Sequence, residues 1–106
     1  MPKDVIFSEK EGKLIARICS DIDHHSAKRM REKIDDMLFE RKPQILEIDF
    51  SAVGFMDSSG LGLILGRVEK ANALRTEVLL TGLSPTLMKL VRLAGIERVK
   101  NLTVIK

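Results

Sequence analysis

Apolar and polar positions change period several times along this chain, and each change marks an element. Two runs rich in apolar residues, DVIFS (4–8) and KLIARIC (13–19), flank the charged connection EKEG, which predicts a hairpin. From His24 to Phe39 the apolar residues Ala27, Met30, Ile34, Met37 and Leu38 recur at helical spacing, with Lys, Arg, Glu and Asp on the opposite face. Asp23 suits the N-cap of this helix, and Pro43 ends any continuation. QILEIDF (44–50) then alternates Ile45, Glu47 and Asp49 with Leu46, Ile48 and Phe50, the pattern of a central strand.

A second helical face follows in Leu61, Ile64, Leu65, Val68 and Ala71, closing near Asn72, a residue that tolerates the left-handed C-terminal conformation. EVLLT (77–81) reads as a further strand. In SPTLMKLVRLAG, Ser84 is the cap, Pro85 takes the first helical position, Leu87, Leu90, Val91 and Ala94 are buried, and Gly95 is the stop. RVKNLTVIK (98–106) supplies a last strand. The order of strand, strand, then alternating helix and strand predicts an α/β fold: one domain over residues 1–106, a mixed, largely parallel sheet with helices packed against it.

Composition narrows the function classes. The 18 Lys and Arg against 15 Asp and Glu give a net charge of only +3. The positive residues are scattered through KRMREK (28–33), Arg67, Lys89, Arg92 and Arg98, and with four Phe, no Tyr and no Trp there is little to stack on bases. A solvated surface without nucleic-acid binding is expected. The single cysteine, Cys19, rules out an internal disulfide and reads as a buried strand residue. The first residues do not resemble a signal peptide, and the longest apolar run, Gly60–Gly66, is far below the roughly 20 residues that span a bilayer. A cytoplasmic protein without membrane association is the expectation.

The chemistry concentrates in GFMDSSGLGLILG (54–66). One reading of DSSG is helix capping by Asp57, Ser58 or Ser59, which leaves a second hydroxyl and Gly60 unaccounted for. A second is a phosphate loop. Gly60, Gly62 and Gly66 miss the dinucleotide spacing, no Gly-Lys-Ser or Gly-Lys-Thr occurs, and a small nucleotide-binding hydrolase is therefore the weaker alternative. A third makes a serine the substrate of a modifying enzyme: a hydroxyl at a helix N-terminus beyond a central strand is exposed, and a phosphate there meets the positive end of the helix dipole.

Elsewhere, DIDHH (21–25) superficially offers the D-x-D of aspartate-based phosphatases but lacks the Thr or Val expected after the second Asp. Adjacent His24 and His25 cannot face one point on a helix, which argues against a metal site.

LEIDFSAVGFMDSSGLGLILGRVEKA, followed by EVLLTGLSPTLMKLVRLAGIERV and preceded by DIDHH, resembles the STAS domain of bacterial anti-sigma-factor antagonists, especially the sporulation type. The resemblance covers nearly the whole chain. It implies a protein that is not an enzyme, whose unphosphorylated form binds an anti-sigma serine kinase and frees the sigma factor. It implies phosphorylation on Ser58 that switches binding off, and a serine phosphatase that resets it. ATP and magnesium then belong to the partner kinase, and the antagonist itself needs no cofactor and no metal.

The resemblance also implies that Asp23 lies close to Ser58. It assigns the partner face to Asp57, Ser59, Gly60, Gly62, Leu63 and Gly66 with Thr81, Gly82, Leu83 and Ser84. A STAS module of another phospho-signalling complex is the nearest alternative. Ser20 and the ALRTE turn (73–77) depart from the family's usual glycines. The chain ends at Lys106, where many members continue into a last helix; a monomer is expected, with self-association favoured if that end leaves apolar surface open.

Overall fold

In the computed structural model, which describes residues 4–105, strands β1 (Val5–Lys10) and β2 (Lys13–Ile18) form the expected antiparallel hairpin. Its turn is two residues, Glu11 and Gly12, both at positive φ (48° and 82°), the twist-matched geometry of tight hairpins. The chain continues through α1 (His24–Arg41), β3 (Ile45–Asp49), α2 (Ser58–Ala73), β4 (Glu77–Thr81), α3 (Pro85–Leu93), a 3₁₀ turn (Ile96–Arg98) and β5 (Leu102–Val104). The sheet runs β1-β2-β3-β4-β5, with β2 to β5 parallel, so β3 is central.

Each parallel crossover steps one strand in the same direction. Right-handed connections therefore put all three helices on one face. The burial of β3 agrees: Leu46, Ile48 and Phe50 are buried beneath the helices, while Ile45, Glu47 and Asp49 on the other face are half-exposed. There Lys13 Nζ lies 3.0 Å from Glu47, whose other oxygen accepts from the Thr81 hydroxyl at 3.0 Å.

The caps are largely those the sequence predicts. Asp23 forms a reciprocal capping box with Ser26. Ser84 accepts from the Leu87 amide at 3.2 Å, Pro85 opens α3, and Gly95 stands at φ 71° just past its end. α1 stops at Lys42, itself left-handed, directly before Pro43.

Several expectations are corrected. Leu65 is 43% exposed, and the seam of α2 is instead built from Gly60, Leu63, Ile64, Arg67, Val68 and Ala71. The left-handed residue after α2 is Arg75, not Asn72. α3 ends before Ala94, which is exposed, and Cys19 is half-buried beyond the end of β2. Arg67 does not belong to the solvated surface: it is 2% exposed, with Nε 2.7 Å from Asp35 of α1. Burial lowers the pKa of Arg67 and raises that of Asp35, in each case against the attraction of the partner. The pair joins the two helices at a desolvation cost.

Candidate functional site at the carboxyl edge of the sheet

Because β2, β3 and β4 are parallel, their carboxyl ends all deliver the chain to the same edge, and the N-termini of the three helices begin there. The caps at these N-termini are Asp23, Asp57 and Ser84. The tertiary structure thus gathers DIDHH, DSSG and TGLS, dispersed in sequence, onto one end of the molecule.

The first two loops are bonded to each other. Ile22 and Met56 form a parallel bridge, with the Ile22 amide donating to Phe55 at 3.0 Å and the Asp57 amide donating to Ile22 at 3.1 Å. Asp23 therefore stands in the chain segment alongside Asp57 and Ser58. Its carboxylate accepts from the Ser26 amide at 2.8 Å, and that bond leads the effects that lower its pKa.

Within DSSG the roles divide. Asp57 is the N-cap of α2, accepting from the Ser59 amide at 2.8 Å, and the Gly60 amide donates to the Asp57 carbonyl at 2.9 Å. Ser58 occupies the first helical position and is exposed. Ser59 is half-buried and borders a groove of about 740 Å³ between α1 and α2, with His24, Lys28 and Gly62 among its walls. Capping is thus performed by the carboxylate, leaving the Ser58 hydroxyl at the positive end of the α2 dipole without a capping duty.

The glycines also separate into two kinds. A Cβ on Gly60 would come within 2.6 Å of Met56 Sδ, and one on Gly82, at φ 70°, within 2.7 Å of the Ser51 amide nitrogen and 2.8 Å of Asp49. Both serve the fold. A Cβ on Gly62 or Gly66 would meet nothing within 4 Å among the described residues. Two glycines in a helix, one turn apart and each costing about 1 kcal/mol relative to Ala, have no reason in this chain's own packing.

The remaining residues expected on the partner face divide by orientation. Leu63, 3% exposed, is a core residue, so like Gly60 it supports the helix rather than an open face. Thr81 turns to the open sheet face, where it bonds Glu47, and Leu83 packs partly against the core. Asp23, Ser58, Gly62 and Gly82 are exposed, and Asp57, Ser59, Gly66 and Ser84 are half-buried.

Sequence reasoning missed Asp21. Its Oδ1 accepts from the Gly54 amide at 3.1 Å and the Phe55 amide at 3.0 Å, clamping the loop that carries DSSG. Nothing periodic marks this contact, because it joins two irregular segments. No group of three or more His, Cys, Asp or Glu among the described residues is arranged to hold a metal, and no described helix is long and apolar enough to cross a membrane.

The sequence model of the STAS domain matches residues 4–104. An anti-sigma F factor antagonist of Lysinibacillus sphaericus is 31% identical over 83 residues, 78% of this chain and 71% of that protein. An anti-sigma-B factor antagonist of Listeria monocytogenes is 31% identical over 80 residues, 74% of this chain and 68% of that protein. The solved structure of the anti-sigma factor antagonist SpoIIAA in its unphosphorylated form gives a TM-score of 0.73 at 25% identity, covering 96% of this chain and 87% of that one. The Bacillus cell fate determinant SpoIIAA in its phosphorylated form gives 0.72 at 26%, covering 96% and 91%.

Proposed function

The chain belongs to the STAS domain family, and from that premise we propose that it is an anti-sigma factor antagonist: a non-catalytic binding module controlled by phosphorylation of Ser58. Its unphosphorylated form binds an anti-sigma serine kinase and so frees a sigma factor; phosphate on Ser58 ends the binding, and a serine phosphatase restores it. ATP and magnesium are the kinase's. Cytoplasmic location follows from such partners. The names of the 31%-identical relatives support the antagonist role, and the phosphorylated and unphosphorylated SpoIIAA structures support phosphorylation of a protein with this fold.

The observation that carries the reading is the division of labour at the start of α2. Asp57 caps the helix, and the exposed Ser58 hydroxyl beside it has no such role in the fold. A group of charge about −1.5 to −2 can be added at the dipole's positive end without unfolding the domain, while a partner closed over Asp57 meets a second negative charge. Moving the partner from almost wholly bound to almost wholly free takes a differential of about 5.5 kcal/mol, within reach of a desolvated charge mismatch in an interface.

Incubation with ATP, magnesium and the anti-sigma kinase encoded in the same genome, followed by intact-mass measurement and site mapping, tests this. One phosphate on Ser58, absent in Ser58→Ala, is expected, with Ser58→Ala retaining kinase binding and Ser58→Glu losing it. Stoichiometric phosphorylation of Ser58→Ala would overturn the assignment.

A further inference from the structure

The sheet has one face that the helices do not cover. Strands β2 to β5 are parallel, and sheets of parallel strands are as a rule covered on both sides. Here the three helices share one side. On the other, every strand contributes one large aliphatic residue: Ile6 of β1, Ile15 of β2, Ile45 of β3, Leu79 of β4 and, just past β5, Ile105. Ile6 is 52% exposed and Ile105 46%. Ile15, Ile45 and Leu79 are half-buried, yet they do not pack against the core beneath the helices.

The charges on this face are segregated. Lys10, Lys13 and Arg17 stand on β1 and β2, and Glu47, Asp49 and Glu77 on β3 and β4. Alternation places Lys10 here, because its neighbour Glu9 turns to the helical side and meets Arg41 of α1 at 3.0 Å. Lys10, Arg17 and Glu77 are exposed and enter no ion pair among the described residues.

We infer that this face is the interface of a homodimer, two sheets stacked about a two-fold axis that runs parallel to the strands at β3. Such an axis reverses the strand order, so the cationic half of each copy lies over the anionic half of the other. An axis across the strands would stack like charge on like. The registers then bring equal heights together: Ile15 meets Leu79 of the second copy, Ile6 meets Ile105, and Ile45 meets its own counterpart. Glu77 meets Lys13, with Lys10 one strand away. Glu47 and Asp49, near the axis, are already bonded within each copy, Glu47 by Lys13 and Thr81 and Asp49 by the Ser51 amide.

Five strands about 4.8 Å apart and about five residues long give a face of roughly 400 Å², the footprint of a weak, concentration-dependent dimer. Both carboxyl edges point to the same end, so both Ser58 hydroxyls stay open. The dimer therefore does not depend on the serine switch.

Sedimentation velocity of the full chain from about 5 to about 500 µM tests this, over the range where an interface of this size dissociates. The parent is expected to pass from monomer to dimer. Glu77→Lys and Ile45→Lys, which set like charges against each other across the axis, should each raise the dimer Kd at least about tenfold. Lys10→Glu should weaken the dimer too. An equimolar mixture of Glu77→Lys and Lys10→Glu should dimerise again, because each new charge then faces an opposite one. Leu65→Ser on the outer side of α2 is the control and should match the parent. Thermal melts check folding, and the exposed Glu77→Lys supplies the result should Ile45→Lys melt early.

A parent that stays monomeric throughout overturns the inference. So does a dimer that survives Glu77→Lys and Ile45→Lys but is lost in Leu65→Ser, which would give the second copy to the helical layer. A mixture that stays monomeric overturns the axis parallel to the strands.

Discussion

Arg67 of α2 is buried with its Nε 2.7 Å from the Asp35 carboxylate of α1. Lys70 Nζ approaches the other Asp35 oxygen at 4.0 Å, so one carboxylate serves two turns of the neighbouring helix. Arg67→Met should destabilise by about 3 kcal/mol, because it leaves a carboxylate in a desolvated seam without its main partner. Arg67→Met combined with Asp35→Leu should recover most of that loss. Urea unfolding of the two singles and the double tests this; a double variant as unstable as the sum of the singles would show that packing, not charge pairing, governs the seam.

Gly62 and Gly66 give opposite signs for folding and binding. Added methyl groups meet open space and helix propensity improves, so Gly62→Ala and Gly66→Ala should each stabilise the protein by about 0.5–1 kcal/mol. If the α2 surface is where the anti-sigma factor approaches, each should also weaken that complex. Thermal melts and titration on the same preparations separate the two effects, and unchanged affinity would remove these glycines from the partner face.

Gly82→Ala should lower stability by more than 1–2 kcal/mol, about the cost of the left-handed conformation alone, because the new methyl also has to displace the Ser51 backbone. The loss should appear as a reduced denaturant midpoint with an unchanged slope.

Acid should weaken the fold below about pH 4. The Arg29 hydrogen bond holds the pKa of Asp4 below the usual range, and the Ser26 amide does the same for Asp23. Both carboxylates bind protons less readily folded than unfolded. Their contribution is complete above the ordinary carboxylate pKa and is lost as pH falls through the lowered values. Asp35 works in the opposite sense: burial raises its pKa, so its penalty is full at neutral pH and is relieved as pH falls toward the ordinary value. In a variant carrying Asp4→Asn and Asp23→Asn, asparagine is still a competent cap for α1, and the loss of stability between about pH 5 and pH 2 should be shallower in circular dichroism melts. An unchanged acid limb would exclude these two groups as its source.

Much of the architecture was legible because its signals are local. The alternation in QILEIDF, the cap at Asp23, the Ser84-Pro85 start and the Gly95 stop depend on neighbours within a few residues, and each matches the structure. Where expectation and structure differ, the deciding partner lies elsewhere in the chain. Arg67 looks like a surface charge until α1 brings Asp35 against it, and Leu65 looks like part of an apolar stripe until packing gives its place in the seam to Leu63 and Arg67. α2 does close near Asn72, at Ala73, but the left-handed residue is Arg75, where that conformation lets the Thr76 amide reach the Ala71 carbonyl.

Contiguous residues were enough to establish the elements, their order, the family and the serine at the start of α2, since periodicity, capping chemistry and motif spacing are all properties of neighbours along the chain. Which residues meet was settled by folding. The Ile22–Met56 bridge runs the segment that enters Asp23 alongside the one that enters Asp57, Asp21 clamps Phe55, and α3 completes a cleft that Phe55 borders. Those contacts join irregular segments whose backbone groups need partners from outside their own loops, and no periodic pattern records which partner a loop will find.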